Sequence, residues 1–289
     1  MANALQMGAG MTTELVKRAE LIAGQSHADY NAADGLRATV IKEGRVSMLH
    51  MRHLATEGRK STATMTWGNV LHAAVLEPEI VLGEIAVWEN RKQGNAWKDF
   101  AEENADKWII KGEQRDNLLI ATQAVHANSF AHQLIADTTH EASLYWHDDG
   151  YGNGKARTDG IKTNGKMLVE LKTTTIKTPY SFLNNAAKLG YHMQLGWYVE
   201  GMRHVFDRDP DAVYMIVCQQ EKPFDVCVYE VPAGVIKQGN MNAVKIARRY
   251  HACCAGNSFP GVADGKILPY DIPDYMKDEP TVDFGDGGE

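Results

Sequence analysis

The chain has 289 residues, of which 44% are apolar and 23% are charged, proportions typical of a soluble globular protein that can bury a sizeable core. No run approaches 18 consecutive apolar residues, which excludes a membrane-spanning helix, and no basic segment followed by an apolar run indicates a secretory signal. We therefore expect a cytoplasmic protein with no membrane partner. The four cysteines lack CxxC spacing, and we expect reduced, buried thiols.

The formal net charge of −7 is concentrated near the C-terminal end. Residues 264–289 contain eight acids and two bases, a net charge of −6, so the other 263 residues carry about −1. Low hydrophobicity and a Gly/Asp bias predict an acidic, mobile tail over residues 263–289. The nearly neutral body leaves an anionic partner such as nucleic acid open.

Apolar residues recur at three- and four-residue spacing up to about residue 137, which predicts an N-terminal helical lobe over 1–137. The helical segments are 11–24, 45–58, 67–79 and 113–137.

From residue 141 the pattern changes to short runs rich in Val, Ile, Tyr and Thr, which predict five strands. These strands are 141–148, 154–163, 166–174, 211–220 and 224–232. Pro179 can begin a helix after the third strand, Gly190 can divide it in two, and a last helix is predicted over 233–256. The order of elements favours an α/β (α+β) fold, with helices packed around one mixed sheet.

An Asn-Gly dipeptide at 164–165 separates the second and third strands and predicts a type I′ hairpin turn, because both residues tolerate positive φ angles. A two-residue loop fixes the register of the two strands. Asp159 then lies opposite Glu170, and Arg157 lies opposite Lys172. Opposed side chains have Cβ atoms about 5 Å apart, so the two carboxylates repel each other unless a cation lies between them.

These charges permit two interpretations. Diagonal pairs of Asp159 with Lys172 and of Arg157 with Glu170 would form a neutral quartet on an exposed face of the hairpin. Alternatively, the carboxylates hold a divalent metal such as Mg²⁺, which prefers carboxylate oxygens and binds phosphate alongside its waters. Lys172 would then steady the attacking water or the charge that develops on a phosphate. The opposite face of the strand is assigned to the core and carries Met167, Val169 and Leu171.

An Asp on one strand followed by Glu-x-Lys on the next resembles the core motif of the PD-(D/E)XK nuclease superfamily, and Asp159 and residues 170–172 supply it. Residues 67–79 resemble the Gly-x-x-x-His helix of its RecB-like and exodeoxyribonuclease VIII-like branches. In those branches the histidine, here His72, adds a nitrogen ligand to the metal.

Two further segments resemble the same branches. Residues 191–202 resemble a Gln-x-x-x-Tyr helix, with Gln194 and Tyr198 one helical turn apart. Residues 256–276 resemble the closing segment of exodeoxyribonuclease VIII-like proteins. The resemblance covers residues 27–276 in order and suggests a phage or prophage member.

The resemblance implies a restriction-endonuclease-like fold with the nuclease core over 138–262, forming one domain with the helical lobe. It implies a metal-dependent deoxyribonuclease, most closely an exonuclease that processes double-stranded ends in phage-type recombination. Mg²⁺, or Mn²⁺ in its place, would be held by His72, Asp159, Glu170 and the backbone carbonyl of Leu171. Lys172 would orient or deprotonate the attacking water. Support for DNA or the active site is expected from Arg157, Thr173, Gln194 and Tyr198, with Glu141 as a further candidate.

The implied partner is DNA with linear double-stranded ends, in the cytosol of a bacterial host. A single-strand annealing protein and a homo-oligomer are further expectations by analogy. Two alternatives remain open. One is a structure-specific endonuclease, and the other is a non-catalytic DNA-binding or assembly protein that retains the fold and merely pairs its hairpin charges.

Spacing argues against two other cofactors. Residues 150–156, GYGNGKA, are one residue short of a Walker A motif and lack its hydroxyl residue, so we expect a hairpin turn and no bound nucleotide. Some RecB-like relatives carry an iron–sulfur cluster with one cysteine upstream of the core. Here all four cysteines lie downstream of the motif, and no iron–sulfur cluster is expected.

Overall fold

The fold is a six-stranded sheet flanked by helices, in a computed structural model that describes residues 19–58 and 63–272. The strands are β1 (Glu20–Ile22), β2 (Ile85–Val87), β3 (Trp108–Ile110), β4 (Thr139–Asp148), β5 (Gly152–Ile161), β6 (Met167–Thr174), β7 (Ala212–Gln219) and β8 (Val226–Glu230). The helices are α1 (His27–Ala32), α2 (Ala38–Glu43), α3 (Met48–Glu57), α4 (Ala63–Leu76), α5 (Pro78–Glu84), α6 (Gly94–Glu103), α7 (Gly112–Ala127), α8 (Ser129–Ala136), α9 (Pro179–Leu189), α10 (Tyr191–Phe206) and α11 (Ala233–Ala255).

The large sheet has the strand order β1-β4-β5-β6-β7-β8, and β2 and β3 form a separate parallel pair. Its neighbouring strands are antiparallel, except that β6 and β7 run parallel. A parallel pair needs a long crossover, and α9 and α10 provide it. The predicted fold class, a mixed central sheet flanked by helices, is confirmed.

The five strands predicted after residue 140 are present as β4 to β8, and the predicted helices after residue 178 are α9, α10 and α11. The side chain of Thr178 accepts a hydrogen bond from the N–H of Ser181, and Pro179 occupies the first turn of α9. Gly190 divides α9 from α10 in the left-handed region, with a φ of +70°. Glycine adopts this conformation without strain, which explains why the helix breaks there.

The N-terminal region is less helical than predicted. Residues 20–22 were expected to end a helix but form β1, which pairs with β4 at the edge of the sheet. A segment of three residues is too short to show whether its periodicity is that of a helix or of a strand. Pairing with the edge of β4 makes it a strand. The unassigned residues 85–110 contain β2, α6 and β3. The earlier part of the predicted helix, residues 11–18, lies outside the described residues, and the boundary at residue 137 stays a prediction.

The β5–β6 hairpin has the predicted register but a different turn. The N–H of Lys162 donates to the carbonyl of Met167 at 3.0 Å, as the register requires. The turn is not type I′, because Gly165 has a positive φ of +70° whereas Asn164 does not. The side chain of Asn164 instead accepts a hydrogen bond from the N–H of Lys166. The hairpin turn predicted over residues 150–156 is shorter and lies at residues 149–151, because residues 152–156 belong to β5.

Two apolar clusters lie on opposite faces of the large sheet. One packs β4 to β7 against α2, α3, α10 and α11, and it contains Trp146 and Trp197. The other packs β6 and β7 against α4, α7 and α8, and it contains Val169 and Leu171. Strand β6 is therefore covered on both faces, and its charged residues do not lie on an exposed face of a hairpin.

The segment after α11 contains neither helix nor strand among its described residues, and Ile267 and Tyr270 are 99% and 97% exposed. The remainder of the predicted acidic tail, residues 273–289, lies outside the described residues. The four cysteines are free, as expected, but only Cys218 among them is buried and Cys254 is exposed. No helix within 19–58 and 63–272 is long and apolar enough to cross a membrane.

Candidate active site

The predicted site lies where β5 and β6 separate. Among the described residues, their ladder ends at the pair Gly160 and Val169. The same register continued by two residues would place Thr158 opposite Leu171 as a hydrogen-bonded pair. The N–H of Leu171 instead donates to Oδ2 of Asp159, at 2.6 Å. The opened end of the hairpin thus fixes the Asp159 carboxylate between the two strands.

Helix α4 brings a histidine to the same carboxylate. Nδ1 of His72 lies 3.4 Å from Oδ1 of Asp159, and the two side chains are 22% and 13% exposed. Gly68 lies one turn earlier on the same face of α4, where an added Cβ would be 3.2 Å from Oγ1 of Thr173. The glycine therefore allows α4 to approach β6 closely. This explains the Gly-x-x-x-His spacing in physical terms.

Glu170 is 1% exposed, and two donors reach the same oxygen of its carboxylate. Oε1 accepts a hydrogen bond of 2.6 Å from Nε2 of Gln194 and forms an ion pair with the ammonium of Lys172. The other oxygen, Oε2, is buried and has no hydrogen-bond partner within the described parts of the chain. A buried carboxylate oxygen without a partner is costly in free energy, so it indicates a missing cation or donor.

The charges of the site shift each other's protonation. Burial and the charge of Asp159 raise the pKa of Glu170 to about 7, although Lys172 opposes this. Burial would lower the pKa of Lys172, but the charges of Glu170 and Asp159 outweigh burial and raise it. Without a metal, Glu170 therefore takes up a proton near neutral pH while Lys172 stays an ammonium.

Asp159 and His72 shift in opposite directions. Burial would raise the pKa of Asp159, but the charge and hydrogen bond of His72 outweigh burial and lower it. Burial would lower the pKa of His72, but the charge and hydrogen bond of Asp159 raise it. Asp159 is thus stabilised as a carboxylate, and Glu170 bears the repulsion between the two acids.

Glu141 on β4 lies opposite Asp159 on β5, and this is the one pair of residues that the β4–β5 ladder omits. Glu141 has a φ of +49°, a left-handed conformation that is strained for a residue other than glycine. Its carboxylate contacts Nε of Arg157 at 2.5 Å. The structure therefore brings this weakest sequence candidate to the edge of the predicted site.

The predicted pairing of Arg157 is wrong. Arg157 was expected opposite Lys172, but its guanidinium contacts Glu141 and donates to the carbonyl of Gln25 at 2.6 Å. The ladder between β5 and β6 opens before these positions, so the expected register no longer determines the contact. Lys172 pairs with Glu170 on its own strand, and the neutral quartet of diagonal pairs is not formed.

Gln194 and Tyr198 share one face of α10, with Nε2 of Gln194 2.8 Å from the Tyr198 hydroxyl. The sequence interpretation missed two neighbours. Nζ of Lys42 donates to Oε1 of Gln194 at 3.3 Å, and the ring centroid of Tyr191 lies 5.4 Å from Nζ of Lys172. Tyr191 precedes Gln194 by three residues on α10, so helical spacing was an available signal. No local signal marks Lys42.

Thr173 lies apart from the predicted acids. Its Oγ1 accepts a hydrogen bond of 2.7 Å from Nε2 of Gln220, on the face of β6 that packs against α4. Glu170 and Lys172 lie on the opposite face of the strand from Thr173, and they contact α10 instead. The position of Thr173 supports the packing of α4 rather than the acidic cluster.

The residue types at the site suit a divalent cation, although the ligand atoms of His72, Asp159 and Glu170 do not all lie within 4.8 Å of one another. Asp159, Glu170 and His72 supply the carboxylate and imidazole ligands that such ions bind in proteins. The carbonyl of Leu171 faces the same side of β6 as its N–H, which is the side of Asp159. The unpartnered Oε2 of Glu170 and the raised pKa of that residue are both relieved by a nearby positive charge.

Among the described residues, the group of possible metal ligands whose ligand atoms do lie within 4.8 Å of one another is elsewhere, in Asp148, Glu200 and His204. Asp148 ends β4 seven residues after Glu141, a separation of about 23 Å along the strand. Oε2 of Glu200 already accepts hydrogen bonds from Arg203 and Asn240, at 2.9 and 2.7 Å. We interpret this group as a structural ion-pair network, separate from the predicted site.

Part of the site, with Asp159 and His72, opens into a cleft of about 620 Å³, whose lining does not include Glu170 or Lys172. The cleft is lined by residues 24–39, by α4, α5 and β3, and by β4, β5 and α10. Five of the sequence candidates line it, namely His72, Glu141, Arg157, Asp159 and Tyr198.

Comparisons with known proteins identify the family and show a shared fold. The family model described as "PDDEXK-like domain of unknown function (DUF3799)" matches residues 45–266. No curated protein matches the sequence. The fold is similar to that of a "putative exonuclease" from Eubacterium rectale, with a TM-score of 0.55 and 10% identity over 93% of this chain and 98% of that chain. A phage related exonuclease from Haemophilus somnus 129PT matches at 12% identity over 79% of this chain and 99% of that chain, but its TM-score of 0.35 carries no argument.

The matched range contains His72, Asp159, Glu170 and Lys172, so it includes the whole predicted motif. The resemblance to the PD-(D/E)XK superfamily is confirmed by the family model and by the shared fold. The chain belongs to the PDDEXK-like family of domains of unknown function (DUF3799).

Proposed function

We propose that the chain is a divalent-metal-dependent deoxyribonuclease, and specifically an exonuclease that processes double-stranded DNA ends in phage-type recombination. The observation that supports it best is the unpartnered Oε2 of Glu170, buried beside the Asp159 carboxylate. A buried acid and a partly buried acid that repel each other form a poor structural pair, and a cation bound between them would relieve the repulsion. Membership of a PDDEXK-like family agrees with this chemistry.

Asp159, Glu170, His72 and the carbonyl of Leu171 would hold Mg²⁺, or Mn²⁺ in its place. A bound metal would supply Lewis-acid stabilisation of the phosphodiester and would lower the pKa of the attacking water. Asp159 is fixed for this role by the Leu171 N–H and by His72. Gln194 holds Oε1 of Glu170 and leaves Oε2 directed away from protein donors.

Lys172 would act on the attacking water or on the charge that develops at the phosphate. Its pKa is raised by the neighbouring carboxylates, so it is an ammonium at neutral pH. Orienting the water therefore fits Lys172 better than removing a proton from it. The ring of Tyr191, 5.4 Å from Nζ, favours this ammonium position further.

Two alternatives predict different behaviour. A structure-specific endonuclease would use the same ligands on DNA without ends. A non-catalytic DNA-binding or assembly protein would need only paired hairpin charges, and Lys172 and Arg157 are paired, with Glu170 and Glu141. The observation against it is Oε2 of Glu170, which has no donor within the described residues. The 620 Å³ cleft has the size of a small-ligand pocket and favours an opened DNA end over an intact duplex.

The test is incubation with end-labelled linear and closed circular duplexes of one sequence, with Mg²⁺ or with a chelator. We expect degradation of the linear form only, in Mg²⁺ only, and loss of activity in Glu170→Gln. Asp148→Asn is the matched control, because it removes a carboxylate from the separate network. Cleavage in chelator would contradict the metal role, cleavage of circles would indicate the endonuclease, and DNA binding without any cleavage would indicate the non-catalytic protein.

The proposal includes a cytoplasmic homo-oligomer that works with a single-strand annealing protein, by analogy with related recombination exonucleases. Native mass spectrometry at micromolar concentration, with and without DNA, tests the assembly. A strictly monomeric protein under both conditions would contradict it while leaving the nuclease proposal intact.

A further inference from the structure

The lining of the active-site cleft divides by chemistry. Residues 24–39 contribute cationic and polar groups, including Arg37, whose Nη1 donates to Oδ1 of Asn31 at 3.0 Å. Glu77, between α4 and α5, and Glu84 of α5 contribute carboxylates, and β3 contributes the indole of Trp108. A phosphate would be attracted to the first group and repelled by the second. An aromatic or hydrogen-bonding group without charge would suit the second.

Trp108 is held in place by the fold. It begins β3 and pairs with Ile85 of β2, outside the large sheet. Part of its side chain packs against the apolar cluster of α4, α7 and α8, and the remainder lines the cleft. No other tryptophan among the described residues lines the cleft. A half-buried indole fixed in this way can meet a planar ligand at little cost in conformational entropy.

Unpaired bases in DNA bind to such surfaces. Base–aromatic stacking tolerates any sequence, because every base has a π face, and it usually accompanies cationic contacts to the backbone. The cleft combines both features within about 620 Å³, a volume suited to a small ligand. A paired end would therefore need to open before its terminal strand could enter.

We propose that Trp108 stacks on one unpaired base next to the scissile phosphate, so that the site takes opened, single-stranded DNA ends, with Arg37 beside the neighbouring phosphate. This inference rests on the proposed nuclease function and adds the form of the substrate. The carboxylates of Glu77 and Glu84 in the lining would repel the backbone, whereas Arg37 would attract it.

The test is an abasic scan of single-stranded oligonucleotides, bound by the full chain in Ca²⁺ to suppress turnover. One abasic nucleotide is moved through each position of an otherwise identical strand. We expect a loss of roughly 5- to 150-fold in affinity at one position, which is the range that stacking of one base contributes. The other positions should bind nearly as tightly as the intact strand.

The variants separate stacking from packing. Trp108→Leu keeps an apolar side chain against the α4 cluster but has no π face, and Trp108→Phe keeps a smaller π face. We expect Trp108→Leu to lose the same affinity as the abasic strand and Trp108→Phe to retain most of it. Trp97→Ala is the control, because Trp97 packs on Trp88 with centroids 5.6 Å apart and does not line the cleft.

The coupling between variant and strand decides the outcome. Trp108→Leu should lose nothing further on the strand that is abasic at the sensitive position. Three results would overturn the role of Trp108: affinity losses that add in the double change, an affinity that is the same at every abasic position, or wild-type affinity in Trp108→Leu. The nuclease proposal would still stand in these cases if the wild-type protein cleaves linear DNA. A wild-type protein that neither binds nor cleaves DNA would overturn both.

Discussion

Oδ2 of Asp159 accepts a hydrogen bond from the backbone N–H of Leu171 at 2.6 Å, in place of the backbone carbonyl that the β5–β6 register would supply. A side chain has thus taken over one bond of a sheet ladder. The position of Asp159 is therefore set by the backbone of the next strand, and the carboxylate is part of the sheet as well as part of the site. Loss of the side chain should affect both.

The two roles of Asp159 can be separated by substitution. Asn keeps an oxygen for the Leu171 N–H, whereas Ala leaves that buried donor without a partner, which costs about 1–3 kcal/mol. Both variants lose the negative charge that holds His72 and a metal, so both should be inactive. Urea unfolding in chelator should show Asp159→Ala to be less stable than Asp159→Asn. Equal stabilities would mean that the Leu171 bond contributes nothing.

Ionisation of Glu170 should cost the metal-free protein stability as the pH rises. The pKa of Glu170 is raised from 4.5 to about 7 by burial and by Asp159, so the folded chain binds a proton that the unfolded chain releases. The effect begins above pH 4.5, is complete above pH 7, and is on the order of 3 kcal/mol at the usual conversion.

Glu170→Gln should remove this pH dependence. In chelator, thermal melts should show the variant to be more stable than the wild type at pH 8 and similar to it at pH 5. Mg²⁺ should raise the melting temperature of the wild type at pH 8 and have little effect on the variant. An equal response to Mg²⁺ in both proteins would place the metal elsewhere.

Gly68→Ala should misplace His72. The added Cβ would lie 3.2 Å from Oγ1 of Thr173, so Thr173 or α4 must shift by a few tenths of an ångström, and the 2.7 Å hydrogen bond from Gln220 opposes the shift of Thr173. We expect weaker metal binding and roughly tenfold or more loss of activity, as for other residues that position ligands. Gly83→Ala in α5 is the matched control, because nothing lies within 4 Å of its added Cβ.

A second substitution tests the cause. Thr173→Ala removes the atom that the new methyl group would meet, so the double variant should regain activity over Gly68→Ala alone. Failure of this rescue, with Thr173→Ala itself active, would show that the glycine acts in some way other than close approach.

Much of the fold and part of the site follow from local sequence. The Asn-Gly turn fixed the register that brings Asp159 near Glu170, although the turn itself differs from type I′. The register could be predicted because it depends on loop length and on the alternation of buried residues. The partner of Arg157 could not, because it depends on how β4 pairs and on the strained backbone of Glu141.

The contacts that complete the site depend on long-range packing. Lys42 reaches Gln194 across 152 residues, through the packing of α2 against α10. The strands β2 and β3 are three residues each, too short for periodicity to show, yet β3 brings Trp108 to the cleft. Such contacts become visible only once the helices are placed on the sheet.

The last prediction concerns Lys172 and separates catalysis from binding. A group that acts on the attacking water contributes mainly in the transition state, so Lys172→Ala should lower kcat by roughly 10² or more. DNA affinity in Ca²⁺ should change little. Lys166→Ala is the control, because Lys166 is an exposed lysine on the same hairpin.

Lys172→Arg should not restore activity. The ammonium is 14% exposed and lies between Glu170 and the ring of Tyr191, where a compact cation fits and the larger planar guanidinium does not. Single-turnover cleavage at saturating enzyme measures this independently of DNA binding. Near wild-type cleavage by the Arg variant would mean that any positive charge suffices. Lys172 would then be a phosphate contact, and the loss in Lys172→Ala should instead follow weakened DNA binding.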